Sequence, residues 1–162
     1  MSKITLPLLL LLLACARAPE AAPPTPPPPK PAPVAPPHID LVATPVAGAV
    51  AAYVRGEQAR AAADHRKLLV YVGATWCEPC RRFHDAAKAG LVDQDLGTLR
   101  LLEFDLDRDR ERLAADGYAS QMIPLFALPA ADGKATGKAI QGSIKGDGAV
   151  GNLVPRLIEL LR

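Results

Sequence analysis

From His38 onward, apolar residues recur with two periods, helical and extended, and the alternation between them marks out one folded unit. Between Pro45 and Arg66 an alanine-rich stretch carries Val46, Val50, Tyr53 and Val54 at helical spacing, which predicts a helix. Lys67 introduces Leu68-Leu69-Val70-Tyr71-Val72-Gly73, an apolar run of strand length. Cys80, Phe83, Ala87 and Leu91 can then share one face of a second helix. Leu99 to Leu106 reads as another strand. Asp107 or Asp109 is placed to cap a charged helix that closes at Gly117.

Met122 to Leu128 is a third apolar run, with Pro124 marking a strand start or an edge because proline donates nothing to a ladder. Asp132-Gly133 signals a turn and Lys138 to Gln141 a short return strand, together a hairpin. Leu153, Val154, Leu157, Ile158 and Leu161 form one helical stripe, with Asn152 as its cap and Pro155 in its first turn. The order is helix, strand, helix, strand, helix, two antiparallel strands, helix. It predicts an α/β fold: a central mixed β-sheet flanked by helices on both faces.

The N-terminal residues have a different pattern. An apolar run from Ile4 to Ala14 follows Lys3, too short to cross a bilayer, which takes about 20 residues, and of signal-peptide length. It ends Leu12-Leu13-Ala14-Cys15, which resembles the bacterial lipoprotein box; that resemblance implies lipidation of Cys15 after removal of residues 1–14. Ordinary signal cleavage after Ala16 and an uncleaved anchor are the competing readings. Eleven of the nineteen residues from Pro19 to Pro37 are proline, so residues 15–37 cannot form a core and are expected to be an extended tether. The domain is then 38–162. A net charge of +2, with both signs interspersed, gives no nucleic-acid footprint.

Three cysteines are too few for a stapled scaffold, and two of them, Cys77 and Cys80, are spaced C-x-x-C where a strand ends and a helix begins. A helix N-terminus favours the thiolate, which is the attacking species. Cys77, at the exposed end of the turn, is the expected nucleophile, and Cys80, one turn inward, the resolving thiol. Pro79 stiffens the loop, Trp76 offers a flat surface to partners, and Glu78 is expected to point to solvent. No further cofactor or metal is required.

Trp76-Cys77-Glu78-Pro79-Cys80 after an apolar strand resembles the thioredoxin superfamily site. Forty-seven residues beyond Cys77, Ile123-Pro124 matches the family's cis-proline, and Gly142 a glycine beside the same groove. The resemblance runs from about residue 45 to the C-terminus. It implies a thioredoxin-like fold and thiol–disulfide oxidoreductase activity, closer to periplasmic reductases than to cytosolic thioredoxin. Two positions depart from the family: Tyr71 stands where a buried aspartate is usual, and Glu103 where a strand lysine is. Glu103 or His84 is therefore the candidate for proton transfer.

The implied partners are protein disulfides, a membrane electron donor if the protein is a reductase, and the membrane through lipid on Cys15. The implied location is the bacterial cell envelope, facing the periplasm or exterior, and the chain is expected to act as a monomer. Proline before the second cysteine resembles the reducing members. The alternatives are a copper or zinc binding or delivery module using Cys77, Cys80 and His84, and a non-catalytic binding domain on the same fold.

Overall fold

The computed structural model describes residues 37–162. The signal segment, Cys15 and the tether up to residue 36 lie outside the described residues. Ten elements follow in order: β1 (Asp40–Ala43), α1 (Val50–Ala63), β2 (Lys67–Gly73), α2 (Glu78–Lys88), α3 (Asp93–Leu96), β3 (Leu99–Asp105), α4 (Leu106–Ala115), β4 (Leu125–Pro129), β5 (Ala135–Gln141) and α5 (Gly148–Leu160).

The five strands form one mixed sheet in the order β1-β3-β2-β4-β5. β1, β3 and β2 run parallel, and β4 and β5 form the antiparallel hairpin. The period-two alternation along β2 divides the core. Leu69 and Tyr71 join Phe83, Leu101, Phe126, Leu153 and Leu157 on the α2–α5 face. Val70 and Val72 join Val50, Val54, Phe104 and Leu113 on the α1–α4 face. Each fully buried side chain of this size contributes about 1.5–3 kcal/mol by leaving water. The central position of β2 is thus fixed by apolar faces on both sides, and its C-terminal end delivers the cysteines to one end of the sheet.

Several boundaries differ from the sequence reading. β1 has no predicted counterpart: it is four residues long, only part-buried, and gains its ladder from β3 alone. α1 begins at Val50, leaving Val46 exposed ahead of it. α2 stops at Lys88, where Gly90 at φ 73° lets the Leu91 N–H return to the Ala86 carbonyl, and Leu91 is 78% exposed, off the helix face expected of it. β3 ends at Asp105, whose carboxylate accepts the Asp107 and Arg108 N–H groups. The α4 cap is therefore Asp105, not Asp107 or Asp109, and Asp109 is instead buried between Arg108 and Arg112. β5 starts three residues before Lys138, at Ala135. α5 begins at Gly148, so Asn152 is not its cap and Pro155 lies in its interior.

Candidate functional site

β2 ends at Gly73, and four residues later Cys77 stands as the N-cap of α2. Its sulfur accepts the Cys80 N–H at 3.3 Å, one of the donors a helix start leaves unpaired. Cys77 and Cys80 are joined by a disulfide, with their Cα atoms 5.3 Å apart. Exposure separates them less than expected: Cys77 is 5% exposed and Cys80 2%, so the outer position of Cys77 is a narrow opening rather than a projecting sulfur. Pro79 is buried in the first turn, where its missing N–H costs nothing.

Trp76 is 62% exposed and donates its indole N–H to Asp107 Oδ2 at 2.7 Å, so it lies at the surface beside Cys77 and outside the core. Glu78 does not point to open solvent. Both its carboxylate oxygens accept the Gly146 N–H, at 3.2 Å each, and Arg82 donates to the same carboxylate. The Arg82 hydrogen bond holds the Glu78 carboxyl below its ordinary range, against a smaller opposing effect of desolvation. Ile123-Pro124 is a cis peptide bond. Pro124 is buried, Ile123 packs against the cluster that contains both cysteines, and the Pro124 carbonyl accepts the Gly142 N–H at 2.9 Å.

Beneath the disulfide, Tyr71 is buried against Phe83 and Phe126 and donates its hydroxyl to the Cys80 carbonyl at 3.4 Å. Gly73 makes room for that hydroxyl, since a Cβ there would lie 2.6 Å from it. Burial, reinforced by Glu103, pushes the Tyr71 hydroxyl far above its ordinary value, so it keeps its proton. Glu103 faces Tyr71 across the β2–β3 ladder, and its Oε1 lies 3.2 Å from His84 Nε2. Both line a cleft of about 310 Å³ that is also bounded by Tyr71, Cys80, Arg81 and Arg108. Burial raises the Glu103 carboxyl above its ordinary range, and the His84 and Lys88 charges offset part of that.

The sequence candidates Cys77, Cys80, Trp76, Glu78, Pro79, Ile123, Pro124, Glu103 and His84 thus gather at one end of the sheet, the last two in the cleft that Cys80 lines. Gly146 and Asp147 were missed. Arg82 was missed too, although its place four residues after Glu78, a helical ion-pair spacing, is a signal that could find it. Nothing local signals Gly146, which lies 68 residues away. Among the described residues, no group of three or more His, Cys, Asp or Glu is arranged to hold a metal, and no helix is long and apolar enough to cross a membrane.

No family model and no curated protein matches the sequence. Solved structures do match. Poplar thioredoxin h is 17% identical over 76% of this chain and 96% of its own, with a TM-score of 0.46. A mutant thioredoxin from Halobacterium salinarum is 18% identical over 76% and 93%, with a TM-score of 0.43. Oxidised thioredoxin from Plasmodium falciparum is 16% identical over 74% and 98%, with a TM-score of 0.41. The chain has a thioredoxin-like fold: a mixed five-stranded sheet with helices on both faces and a C-x-x-C pair opening the helix after its central strand.

Proposed function

We propose that this protein is a thiol–disulfide oxidoreductase that reduces or exchanges disulfides of extracytoplasmic proteins through Cys77 and Cys80. The observation that carries the reading is the sulfur pair at the N-cap of α2, where Cys77 Sγ already accepts a helix N–H and a developing thiolate is favoured. In the reduced enzyme the Cys77 thiolate attacks one sulfur of a substrate disulfide. A Cys77–substrate bond forms, and the other substrate sulfur leaves as a thiolate and takes a proton from water. Cys80 then loses its proton and attacks Cys77 Sγ; the mixed disulfide breaks and the second substrate thiolate leaves. Two electrons pass to the substrate, and a dithiol donor supplied through the membrane restores the pair.

Glu103 is the proton acceptor for Cys80 in this reading, reached through the cleft, with His84 as its ion-pair neighbour. Its part-buried carboxylate lines the same cleft as the inner cysteine, which supports the role, and Tyr71 is held protonated as a donor. Trp76, Pro79, Ile123 and Pro124 frame the disulfide. Export, the lipid on Cys15, the tether and a cell-envelope location belong to the same reading and rest on the sequence. Palmitate labelling of wild type and Cys15→Ala tests the anchor.

The activity is tested by equilibrating the Cys77–Cys80 pair with glutathione and by assaying disulfide exchange in the two serine variants. Cys77→Ser is expected to abolish exchange, and Cys80→Ser to accumulate mixed disulfides. Exchange that survives Cys77→Ser overturns the reading. A potential well above that of the glutathione pool reverses the direction from reduction to oxidation. Metal content of the purified domain checks the copper or zinc alternative.

A further inference from the structure

At the end of the sheet away from the disulfide, a second cavity of about 390 Å³ opens where β2 starts, β4 ends and α5 finishes, with β5 alongside. Its cations come from three of these elements: Lys67 opens β2, Lys138 lies in β5 and Arg162 follows α5. Leu68, Leu128, Leu160 and Leu161 supply the rest of the lining. Leu68 is buried and the other three leucines are part-buried, whereas all three cationic residues are exposed. The cavity therefore has a leucine floor and a cationic rim.

The fold uses little of this charge. Arg162 is paired with Glu159 at 2.7 Å. The Lys67 ammonium donates to the Leu161 carbonyl at 2.5 Å, one of the acceptors that a helix end leaves without a donor. That bond takes one of its three N–H groups. Among the described residues, neither Lys67 nor Lys138 forms an ion pair. The lining offers no side-chain hydroxyl, amide or carboxylate, so it has donors only and reads peptide groups poorly. Ammonium groups held as point charges suit phosphate, and the leucine floor suits the aliphatic matter behind a lipid headgroup.

We infer that this cavity docks the domain on a bilayer surface of anionic phospholipid, with Lys67, Lys138 and Arg162 among the headgroup phosphates and the leucines toward the acyl boundary. Charge complementarity selects that occupant, since nothing in the lining repels an anion. Cys77 lies past the other end of β2, so the docked domain carries its sulfurs on the side turned from the bilayer. The contact needs neither lipid on Cys15 nor the redox chemistry, and it stands or falls apart from both.

The test uses the full chain carrying Cys15→Ala, so that no acyl chain supplies the attachment. Sedimentation gives its partition onto mixed phosphatidylglycerol–phosphatidylcholine vesicles and onto phosphatidylcholine alone. The ratio of the two is expected to fall about fivefold when Lys138→Ala is added, and about fivefold again with Lys67→Ala. Lys138→Arg keeps the charge and is expected to hold the ratio within about twofold, as is Lys145→Ala at the disulfide end. Trp76 is the single tryptophan, 62% exposed beside Cys77, so its emission reports which end meets lipid. Its maximum is expected to stay unchanged on binding. An unchanged ratio in the Lys67→Ala, Lys138→Ala double variant overturns the inference. So does an equal fall in Lys145→Ala, or a blue shift of Trp76 on anionic vesicles. Poly-glutamate that binds more tightly than the vesicles at equal anionic charge, and is lost in the same double variant, makes an acidic polypeptide the occupant and also overturns it.

Discussion

Glu103 Oε1 and His84 Nε2 lie 3.2 Å apart on the wall of the cleft that reaches Cys80. The strand that carries Glu103 is not the one that leads into the cysteines, so the carboxylate enters the cleft that Cys80 also lines from the neighbouring strand. Tyr71 from β2, Arg81, Asp85 and Lys88 from α2, Asp105 from β3 and Arg108 from α4 are the other titratable or charged groups around it.

Burial holds the Glu103 carboxyl above its ordinary value of 4.5, so it is free to accept a proton only above that raised point. Resolution of a Cys77 mixed disulfide is expected to slow as pH falls through it. Glu103→Gln is expected to remove that dependence and to slow resolution at neutral pH about tenfold or more. The folded state binds a proton that the unfolded chain releases over this interval, so the carboxyl destabilises the fold increasingly as pH rises through it. The Tm of Glu103→Gln relative to wild type is therefore expected to be higher at pH 7 than at pH 4.

Asp109 has the opposite sign. Burial alone would raise its carboxyl, but Arg108, Arg112 and the Asp105 N–H hold it below the ordinary 3.8. Its contribution is present above that value and is lost as pH falls through the depressed one. Asp109→Ala is expected to cost about 3 kcal/mol at neutral pH in urea unfolding, because it removes the buried carboxylate that Arg108 and Arg112 share. That deficit is expected to shrink in acid.

Gly133 and Gly137 separate two causes of a glycine requirement. Both have positive φ, 84° and 82°, but a Cβ on Gly133 would lie 2.0 Å from the Ala51 carbonyl oxygen, whereas Gly137 has open space. Gly137→Ala is expected to cost about 1–2 kcal/mol from conformation alone. Gly133→Ala is expected to cost about 3 kcal/mol or more, since the hairpin turn must also move off α1. Denaturant midpoints of the two variants give the comparison.

Pro155 lies inside α5 with its side chain exposed, and it leaves the Gly151 carbonyl without the usual i+4 donor. Pro155→Ala is expected to raise stability by about 1–3 kcal/mol, read as a higher urea midpoint at an unchanged slope.

Legibility of the fold and site followed the range of the forces involved. β2, β3 and β4 were readable because each carries a cluster of buried apolar residues of strand length, and Cys77, Cys80, Trp76 and Pro79 because their chemistry is contiguous. The start of α5 was misread because Asn152 has a capping side chain, yet it serves mid-helix as acceptor for Ser143 and Arg156. Asp105 was passed over as a cap because it also ends a strand. β1 was invisible because four part-buried residues carry little pattern without their partner. The Glu78–Gly146 contact joins residues 68 apart, so no local pattern could reveal it.

β1 and β2 run in the same direction, so the described chain enters the domain at the pole where β2 starts, while Cys77 sits past the pole where β2 ends. The seven residues of β2 put on the order of 20 Å between those poles. The first described residues and the sulfurs therefore lie at opposite poles of the sheet.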